Sequence, residues 1–183
     1  MSNSNTQQST PSVDEHRALA PVVIRVAVLT ISDSRDEASD ASGTLIRDAL
    51  RQAGHMVSSS AIVHDEPGAI VAQVLDWARS DEVDAVITTG GTGIAPRDRT
   101  AEALARIFDR SLEGFGELFR MLSYQEIGSA AMLSRATAGT VGGKPVFALP
   151  GSKNAVRLAM EQLILPELGH VVYEAGKGLA LKG

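Results

Sequence analysis

Short apolar runs alternate with amphipathic helical segments along this chain, and that alternation restricts the folds it can form. Residues 22–31 are an almost continuous apolar, largely β-branched run with one charge, which is typical of a strand buried on both faces. Apolar residues then recur at helical spacing over 45–53, and Gly54 follows where a helix C′ glycine is expected. A second strand at 57–63 and a second helix at 67–78 repeat the pattern.

The second half of the chain continues the alternation. A short apolar strand is predicted at 85–89 and a buried strand at 146–149, each ended by glycine or by a Pro-Gly pair. Helical stripes are predicted around 104–108, 114–128, 156–164 and from Pro166 to near Tyr173, with a short strand and a turn within 136–144. We therefore expect a single-domain α/β fold, a mostly parallel β-sheet with helices on both faces in three layers.

Both ends of the chain differ in character from the segment between them. Residues 1–21 are polar and predict a disordered tail, because they cannot bury enough apolar surface to offset the entropy of ordering. The ordered domain is expected to span 22–176, followed by a loose tail at 177–183. No apolar run of signal-peptide or transmembrane length is visible, which predicts a cytoplasmic protein with no membrane partner.

Charge and composition exclude several classes of function. The net charge of −5, with no cluster of Lys and Arg, argues against nucleic-acid binding. The chain has no cysteine, which excludes disulfides and thiolate metal sites. The four histidines have no spacing typical of metal ligands, so we expect no histidine metal site at His16, His55, His64 or His170.

Polar or glycine-rich segments follow each predicted strand. In open parallel sheets, ligands bind just beyond the carboxyl ends of the strands. That rule selects four segments as candidates for a binding site: Ser32 onward, His64–Asp65, 90–98 and 150–153.

The loop Thr88–Gly93 is the strongest local signal among these segments. Glycines at a strand end let backbone N–H groups of Gly90, Gly91, Thr92 and Gly93 approach a phosphate closely. The structural alternative is a tight strand-to-helix turn that needs positive φ. The loop matches neither the P-loop nor the dinucleotide-binding fingerprint.

Two aspartates follow predicted strands and are candidate magnesium ligands. Asp98 lies between arginines and could hold the ion while Arg97 reaches phosphate oxygens; its alternative is capping of the next helix. Asp65 could be a second ligand or a base, and its alternative is a turn residue that hydrogen-bonds the following helix start.

Hydroxyl and cationic residues elsewhere could add contacts to a phosphate. Ser32 and Asp33 begin a long polar connection of the kind that is often functional. Ser123 matches a capping box with Glu126, which competes with any ligand role. Further hydroxyl and cationic donors are predicted from Ser134–Arg135 and from Pro150, Gly151, Ser152 and Lys153.

Taken together and in order, these segments resemble the MoaB/Mog family of molybdenum cofactor biosynthesis proteins. The shared landmarks run over nearly the whole predicted domain, from 22 to 173. Seven landmarks in family order are far more specific than one glycine-rich loop. They are Leu29-Thr-Ile-Ser-Asp33, Ser42-Gly43, Thr88-Thr-Gly-Gly-Thr-Gly93, Pro96-Arg-Asp98, Gly114-Phe-Gly-Glu117, Leu133-Ser-Arg135 and Leu149-Pro-Gly-Ser152.

The resemblance implies a molybdopterin-binding-like fold and a molybdopterin adenylyltransferase, which moves AMP from ATP to molybdopterin and releases pyrophosphate. It implies Mg²⁺ as cofactor, with Asp65 and Asp98 holding the ion and orienting the triphosphate. Contacts to the pterin and its phosphate are implied for Gly90–Gly93, Ser123 and Ser134, with Pro150–Ser152 lining the same pocket. A homotrimer or a hexamer is implied as well, with other enzymes of the pathway as partners. The helical spacing of Phe115 and Phe119 indicates core packing, and their exposed side is the suggested contact face.

Other interpretations stay open at this point. The stretch 115–128 is more similar to the MoaB-like branch, which suggests a non-catalytic molybdopterin-binding or scaffold protein as the alternative. The two aspartates favour the enzyme, since a carrier has no evident need for paired carboxylates beside a phosphate loop. Ala148 stands where some active members have asparagine, which bears on how the nucleotide is held. An unrelated nucleotide-binding α/β domain would have to match the ordered landmarks by chance.

Overall fold

The computed structural model describes residues 21–177. The predicted tails, 1–21 and 177–183, fall outside this range except for Pro21 and Lys177. The strands are β1 (Arg25–Ile31), β2 (Met56–Val63), β3 (Ala85–Thr89), β4 (Arg110–Ser111), β5 (Thr137–Val141) and β6 (Lys144–Leu149). The α-helices are α1 (Ala41–Gln52), α2 (Pro67–Arg79), α3 (Thr100–Ala105), α4 (Glu113–Ile127), α5 (Lys153–Ala159) and α6 (Leu165–Gly176).

The six strands form one mixed sheet in the order β2-β1-β3-β6-β5-β4. The first four strands of that order are parallel, and β5 and β4 are added antiparallel at one edge. The strand order reverses beside β1, because β2 lies on one side of it and β3 on the other. The predicted single-domain α/β fold with a mostly parallel sheet is confirmed.

Side chains of β1 alternate between two separate cores, which explains its continuous apolar run. Val26 and Val28 face the layer formed by α1, α4, α5 and α6. Ala27, Leu29 and Ile31 face the layer formed by α2 and α3. Both faces are therefore covered, as expected for a parallel strand in the middle of a three-layer fold.

The first strand is shorter than predicted, and the second is an edge strand. The first strand begins at Arg25 rather than at Val22, since Val22 and Val23 are 88% and 48% exposed and have no strand to pair with. The second strand is polar along part of its length because it lies at the edge of the sheet, where its side chains are only half buried. An edge strand tolerates serine better than a central strand does.

The glycine-rich segment after the 3₁₀ helix Gly128–Leu133 forms a hairpin. Strands β5 and β6 pair antiparallel, with Val141 opposite Lys144. Gly142 and Gly143 make the two-residue turn with φ of 58° and 76°, which is the geometry that favours glycine in tight hairpins. The sequence predicted a strand and a turn here but not that the pair would be antiparallel.

Helix α4 buries its two aromatic residues, Phe115 and Phe119. Phe115 and Phe119 are 8% and 1% exposed, and Phe115 packs edge-on against Phe147 of β6. The core packing expected for these aromatics is confirmed. The suggestion that their exposed side forms a contact face is wrong, because almost none of either side chain is exposed.

The C-terminal helical segment is longer than predicted. A π-helical turn, Met160–Ile164, joins α5 to α6, and α6 continues to Gly176. The π turn immediately precedes Pro166, which has no N–H to donate to the helix. Within residues 21–177, no helix has both the length and the apolar character that crossing a membrane would require.

Candidate functional site

The carboxyl ends of the four parallel strands open into one cleft of about 640 Å³. These strands end at Ile31, Val63, Thr89 and Leu149, and the segments that follow them are those selected from the sequence. The predicted site residues line this cleft, except Ser123, Arg135 and Lys153. The lining residues are Ser32, Asp33, Asp65, Gly90, Gly91, Thr92, Gly93, Arg97, Asp98, Ser134, Pro150, Gly151 and Ser152, together with Ile31, Ser34, Arg35 and Leu133.

The glycine-rich loop after β3 is tied to the segment after β6. Gly90 N–H donates to Leu149 O at 3.0 Å, and Thr89 Oγ1 donates to Pro150 O at 3.0 Å. Gly90 has a φ of 111°, and a Cβ at that position would meet the carbonyl oxygen of Ile31. The loop therefore runs directly over the end of β1, so that glycine is required there for both its conformation and its close approach.

Asp65 lies at the inner wall of the cleft and is only partly solvated. Its Oδ1 atom is buried and has no hydrogen-bond partner, although its backbone N–H donates to Asp33 Oδ1 at 3.1 Å. Burial raises the pKa of the Asp65 carboxyl and the nearby Asp98 carboxylate raises it further, while a hydrogen bond from the backbone N–H of Arg99 to the carboxyl offsets part of the rise. The two aspartates are thus close enough to interact electrostatically across the cleft.

The structural alternatives for both aspartates are not observed. The residue that precedes α3 is Arg99 and the one that precedes α2 is Glu66, and neither helix has a side-chain cap hydrogen bond. Asp98 Oδ2 instead accepts from Ala95 N–H at 2.9 Å, within its own loop. This contact fixes the carboxylate at the cleft without giving it the role of a helix cap.

A charged network at the mouth of the cleft centres on Asp33. Arg97 forms an ion pair with Asp33, and His64 Nδ1 lies 3.3 Å from Asp33 Oδ1. The Arg97 side chain is 70% exposed, so its guanidinium can move from Asp33 to an anion in the cleft at low cost.

Arg35 is a cleft residue that was not predicted from the sequence. Its guanidinium donates to Gly151 O at 3.2 Å and also to Ser42 Oγ, so that it bridges the connection after β1 and the segment after β6. The available signal was a cation inside a long polar connection at a strand end. That signal is weak by itself, because such loops are commonly charged for solubility.

Arg135 does not point toward a phosphate site, contrary to the sequence prediction. Its guanidinium donates to Gly93 O at 2.7 Å and to Asp98 O, and it pairs with Glu102. Arg135 therefore holds the loop that carries Asp98. Its neighbour Ser134 does line the cleft, as predicted.

Ser123 lies outside this cleft. It is a buried residue inside α4 rather than at a helix start, so the capping-box interpretation is wrong. It lines an adjacent cavity of about 300 Å³ with Glu126, Lys153 and Asn154. The two cavities share Ser152, so a ligand that extends from the cleft could still reach Ser123.

Ala148 does not face the cleft either. It is fully buried in the core between the sheet and the α2–α3 layer. The absence of asparagine at this position therefore removes no side chain from the cleft wall.

The sequence of this chain is similar to those of bacterial molybdenum cofactor biosynthesis proteins. Residues 27–170 match the family model described as a probable molybdopterin binding domain. A Bacillus cereus protein named molybdenum cofactor biosynthesis protein B is 53% identical over 164 residues, covering 89% of this chain and 97% of that protein. The Bacillus subtilis protein of the same name is 51% identical over 167 residues, covering 91% and 98%.

Solved structures of similarly named proteins superpose on this fold. A crystal structure of a molybdenum cofactor biosynthesis protein B superposes with a TM-score of 0.83 at 54% identity, covering 85% of this chain and 98% of that chain. The tungsten cofactor synthesizing protein MoaB from Pyrococcus furiosus superposes with a TM-score of 0.76 at 40% identity, covering 85% and 99%. The predicted resemblance is confirmed, and this chain belongs to the MoaB/Mog family of molybdenum cofactor biosynthesis proteins.

Proposed function

We propose that this protein transfers the adenylyl group of ATP to molybdopterin, a pterin that carries a dithiolene and a phosphate. A phosphate oxygen of molybdopterin attacks the α-phosphorus of ATP, the bond from that phosphorus to the α–β bridging oxygen breaks, and pyrophosphate leaves. The observation that carries the proposal is the pairing of Asp65 and Asp98 beside the glycine-rich loop at the reversal of strand order. Adenylyl transfer needs positioning and charge neutralisation more than covalent help from the protein.

The carboxylates fit a magnesium ion. Mg²⁺ prefers oxygen ligands, is commonly held by one or two carboxylates, and takes the rest of its shell from water and phosphate. Asp65 offers an oxygen that is buried and has no partner, and Asp98 is near enough to raise the pKa of Asp65. When bound, the ion would neutralise charge that develops on the phosphates. Among residues 21–177 no larger cluster of acidic and histidine side chains offers a competing metal site.

The other cleft residues would bind and orient the two substrates. The backbone of Gly90–Gly93 would approach the phosphates closely, and Arg97 would exchange Asp33 for a phosphate oxygen. Arg35 would hold Gly151 and the substrate-facing loop in place. Ser134 and Ser152 would donate hydroxyls to the pterin phosphate, and Ser123 would be reached only through the adjacent cavity.

Protonation of Asp65 should determine the pH below which the protein no longer binds the cation. The pKa of this carboxyl is raised above the ordinary 3.8, so the anionic ligand is lost at a higher pH than for an exposed aspartate. We expect the affinity for Mn²⁺, used as a probe, to fall as pH decreases through the raised pKa. Titrations at several pH values between about 4 and 7 measure this fall.

The matched variant for that series is Asp65→Asn, which cannot titrate at this position. Its weaker binding should change less with pH than that of the unmodified protein. An identical pH dependence in both proteins would show that a group other than Asp65 controls the loss of binding at low pH.

In the folded protein without metal, the raised pKa of Asp65 also affects stability. The contribution of the Asp65 carboxyl to the free energy of unfolding decreases as pH rises through that pKa.

A direct test of the function combines purified protein, ATP, Mg²⁺ and molybdopterin and measures pyrophosphate. Release that needs both molybdopterin and Mg²⁺ supports the enzyme. Binding of molybdopterin without any pyrophosphate supports the alternative, a MoaB-like protein that carries the pterin or organises other enzymes of the pathway. The observation that favours this alternative is that the similar proteins are named for cofactor biosynthesis and not for a reaction.

We also propose that the protein is a homo-oligomer, a trimer or a hexamer, and that α4 and the following 3₁₀ helix contact a second copy. Most of the exposed large apolar side chains among residues 21–177 lie in this one segment, and an apolar surface of this kind is unusual on a lone chain. They are Leu118, Met121, Tyr124, Ile127, Met132 and Leu133.

The substitution Met121→Glu should shift the native mass toward the single chain. Met121 is 54% exposed on one chain, and a contact with a second copy would force the new carboxylate out of water. Met56→Glu is the matched control, because Met56 is 56% exposed and lies far along the chain from this segment. Sedimentation velocity on both variants measures the masses. An unchanged mass for Met121→Glu would remove α4 from the contact.

A further inference from the structure

Thr100 is buried beside the candidate site, and its hydroxyl has no partner. It is the first residue of α3, its side chain is fully buried, and its backbone N–H donates to Gly91 O at 3.0 Å. The Oγ1 atom makes no hydrogen bond to any of the residues that the structure describes. A buried hydroxyl without a hydrogen-bond partner lowers the free energy of unfolding. A bound ligand that contacts this oxygen would remove that cost.

Gly91 packs closely against this hydroxyl and against the Asp65 carboxylate. A Cβ on Gly91 would touch Thr100 Oγ1 and would lie 3.1 Å from Asp65 Oδ1 and 3.2 Å from Asp65 Oδ2. Thr100 Oγ1 and Asp65 Oδ1 are both buried, and neither has a hydrogen-bond partner. The Thr100 hydroxyl oxygen and both Asp65 carboxylate oxygens therefore lie close together around Gly91, where a side chain has no room.

We propose that the Thr100 hydroxyl is a third oxygen ligand for the divalent cation that Asp65 and Asp98 hold, which rests on the function proposed above. Carboxylate and hydroxyl oxygens are ligands of the kind that Mg²⁺ accepts. A hydroxyl at the helix start after a glycine-rich loop is also the arrangement by which P-loop proteins contact their magnesium ion. The proposal explains why a hydroxyl occupies a buried position where an apolar side chain of the same shape would be more stable.

Binding of Mn²⁺ to the full-length protein tests this without any substrate. Electron paramagnetic resonance counts free Mn²⁺ and gives the dissociation constant for the unmodified protein, for Thr100→Val and for Thr100→Ser. Valine keeps the shape and removes the oxygen, whereas serine keeps the oxygen. We expect Thr100→Val to weaken binding by about 10-fold or more and Thr100→Ser to stay within about 3-fold.

Thermal unfolding without metal separates a ligand from a purely structural residue. If the Thr100 hydroxyl has no partner until a cation binds, Thr100→Val should unfold at the same temperature as the unmodified protein or at a higher one. The substitution removes a buried hydroxyl that makes no hydrogen bond in the metal-free protein. A lower unfolding temperature with unchanged Mn²⁺ affinity would overturn the proposal and assign Thr100 to packing.

The outcomes also separate this proposal from the function on which it rests. Equal Mn²⁺ affinity in the unmodified protein and in Thr100→Val overturns the role of Thr100 and leaves adenylyl transfer intact. An unmodified protein that binds no Mn²⁺ overturns the role of Thr100 as well. In that case, pyrophosphate release measured with ATP and molybdopterin decides separately whether the proposed reaction survives.

Discussion

Replacing Asp65 or Asp98 with asparagine is expected to lower adenylyl transfer by about 100-fold or more. Asparagine keeps the shape of each side chain but replaces an anionic oxygen with a neutral amide, which is a much weaker ligand for Mg²⁺. Both side chains line the cleft, so the loss should appear in turnover at saturating ATP and molybdopterin. Initial rates of pyrophosphate release for each variant measure it.

The folded state should survive both substitutions. Asp65→Asn removes a carboxylate whose burial is unfavourable, so its unfolding temperature should not decrease. Asp76→Asn is the matched control, since Asp76 is exposed on α2 and does not line the cleft. It should retain full activity. Undiminished turnover in both Asp65→Asn and Asp98→Asn would remove the paired carboxylates from the reaction.

Gly90→Ala is expected to destabilise the fold by about 3 kcal/mol and to lower activity as well. Two costs add at this position. A φ of 111° is strained for any residue with a Cβ, and that Cβ would meet the backbone oxygen of Ile31, which cannot move without displacing β1. Because the loop lines the cleft, any shift that relieves the contact also moves the phosphate-facing backbone. Chemical denaturation measures the stability change.

Gly54→Ala separates these two costs. Gly54 follows α1 with a φ of 85°, but a Cβ there would have no atom within 4 Å. This variant should therefore lose only about 1 kcal/mol, from backbone strain alone, and should keep its activity. If the two alanine variants lost the same stability, the close approach of Gly90 to β1 would not contribute to the free energy of unfolding.

Local patterns were sufficient to predict the framework and most of the cleft. The continuous apolar run of β1 requires two covered faces, and the structure supplies a separate core on each. Parallel topology then brings the carboxyl ends of distant strands to one edge of the sheet, so Asp65 and Asp98 meet although 33 positions separate them in the chain. The order and direction of the strands are sufficient to bring these two residues together.

Long-range contacts were not predictable in the same way. The spacing around Ser123 fits a capping box, but α4 begins ten residues earlier and encloses it. Arg135 looked like a phosphate donor because it is a cation near a serine, yet its guanidinium binds backbone oxygens of the Gly93–Asp98 loop. Arg35 had no distinctive neighbours in sequence, and its contact with Gly151 spans 116 positions. In each case the partner is determined by tertiary packing rather than by local sequence.

The measurement that tests the central claim most directly follows the α-phosphorus of ATP. Purified protein is incubated with Mg²⁺, molybdopterin and ATP labelled at the α-phosphate, and the pterin fraction is separated and counted. Adenylyl transfer predicts that the label appears in the pterin in step with pyrophosphate release, and only when Mg²⁺ is present. Molybdopterin that stays bound but unlabelled would contradict the proposed reaction and would make this protein a carrier of the pterin.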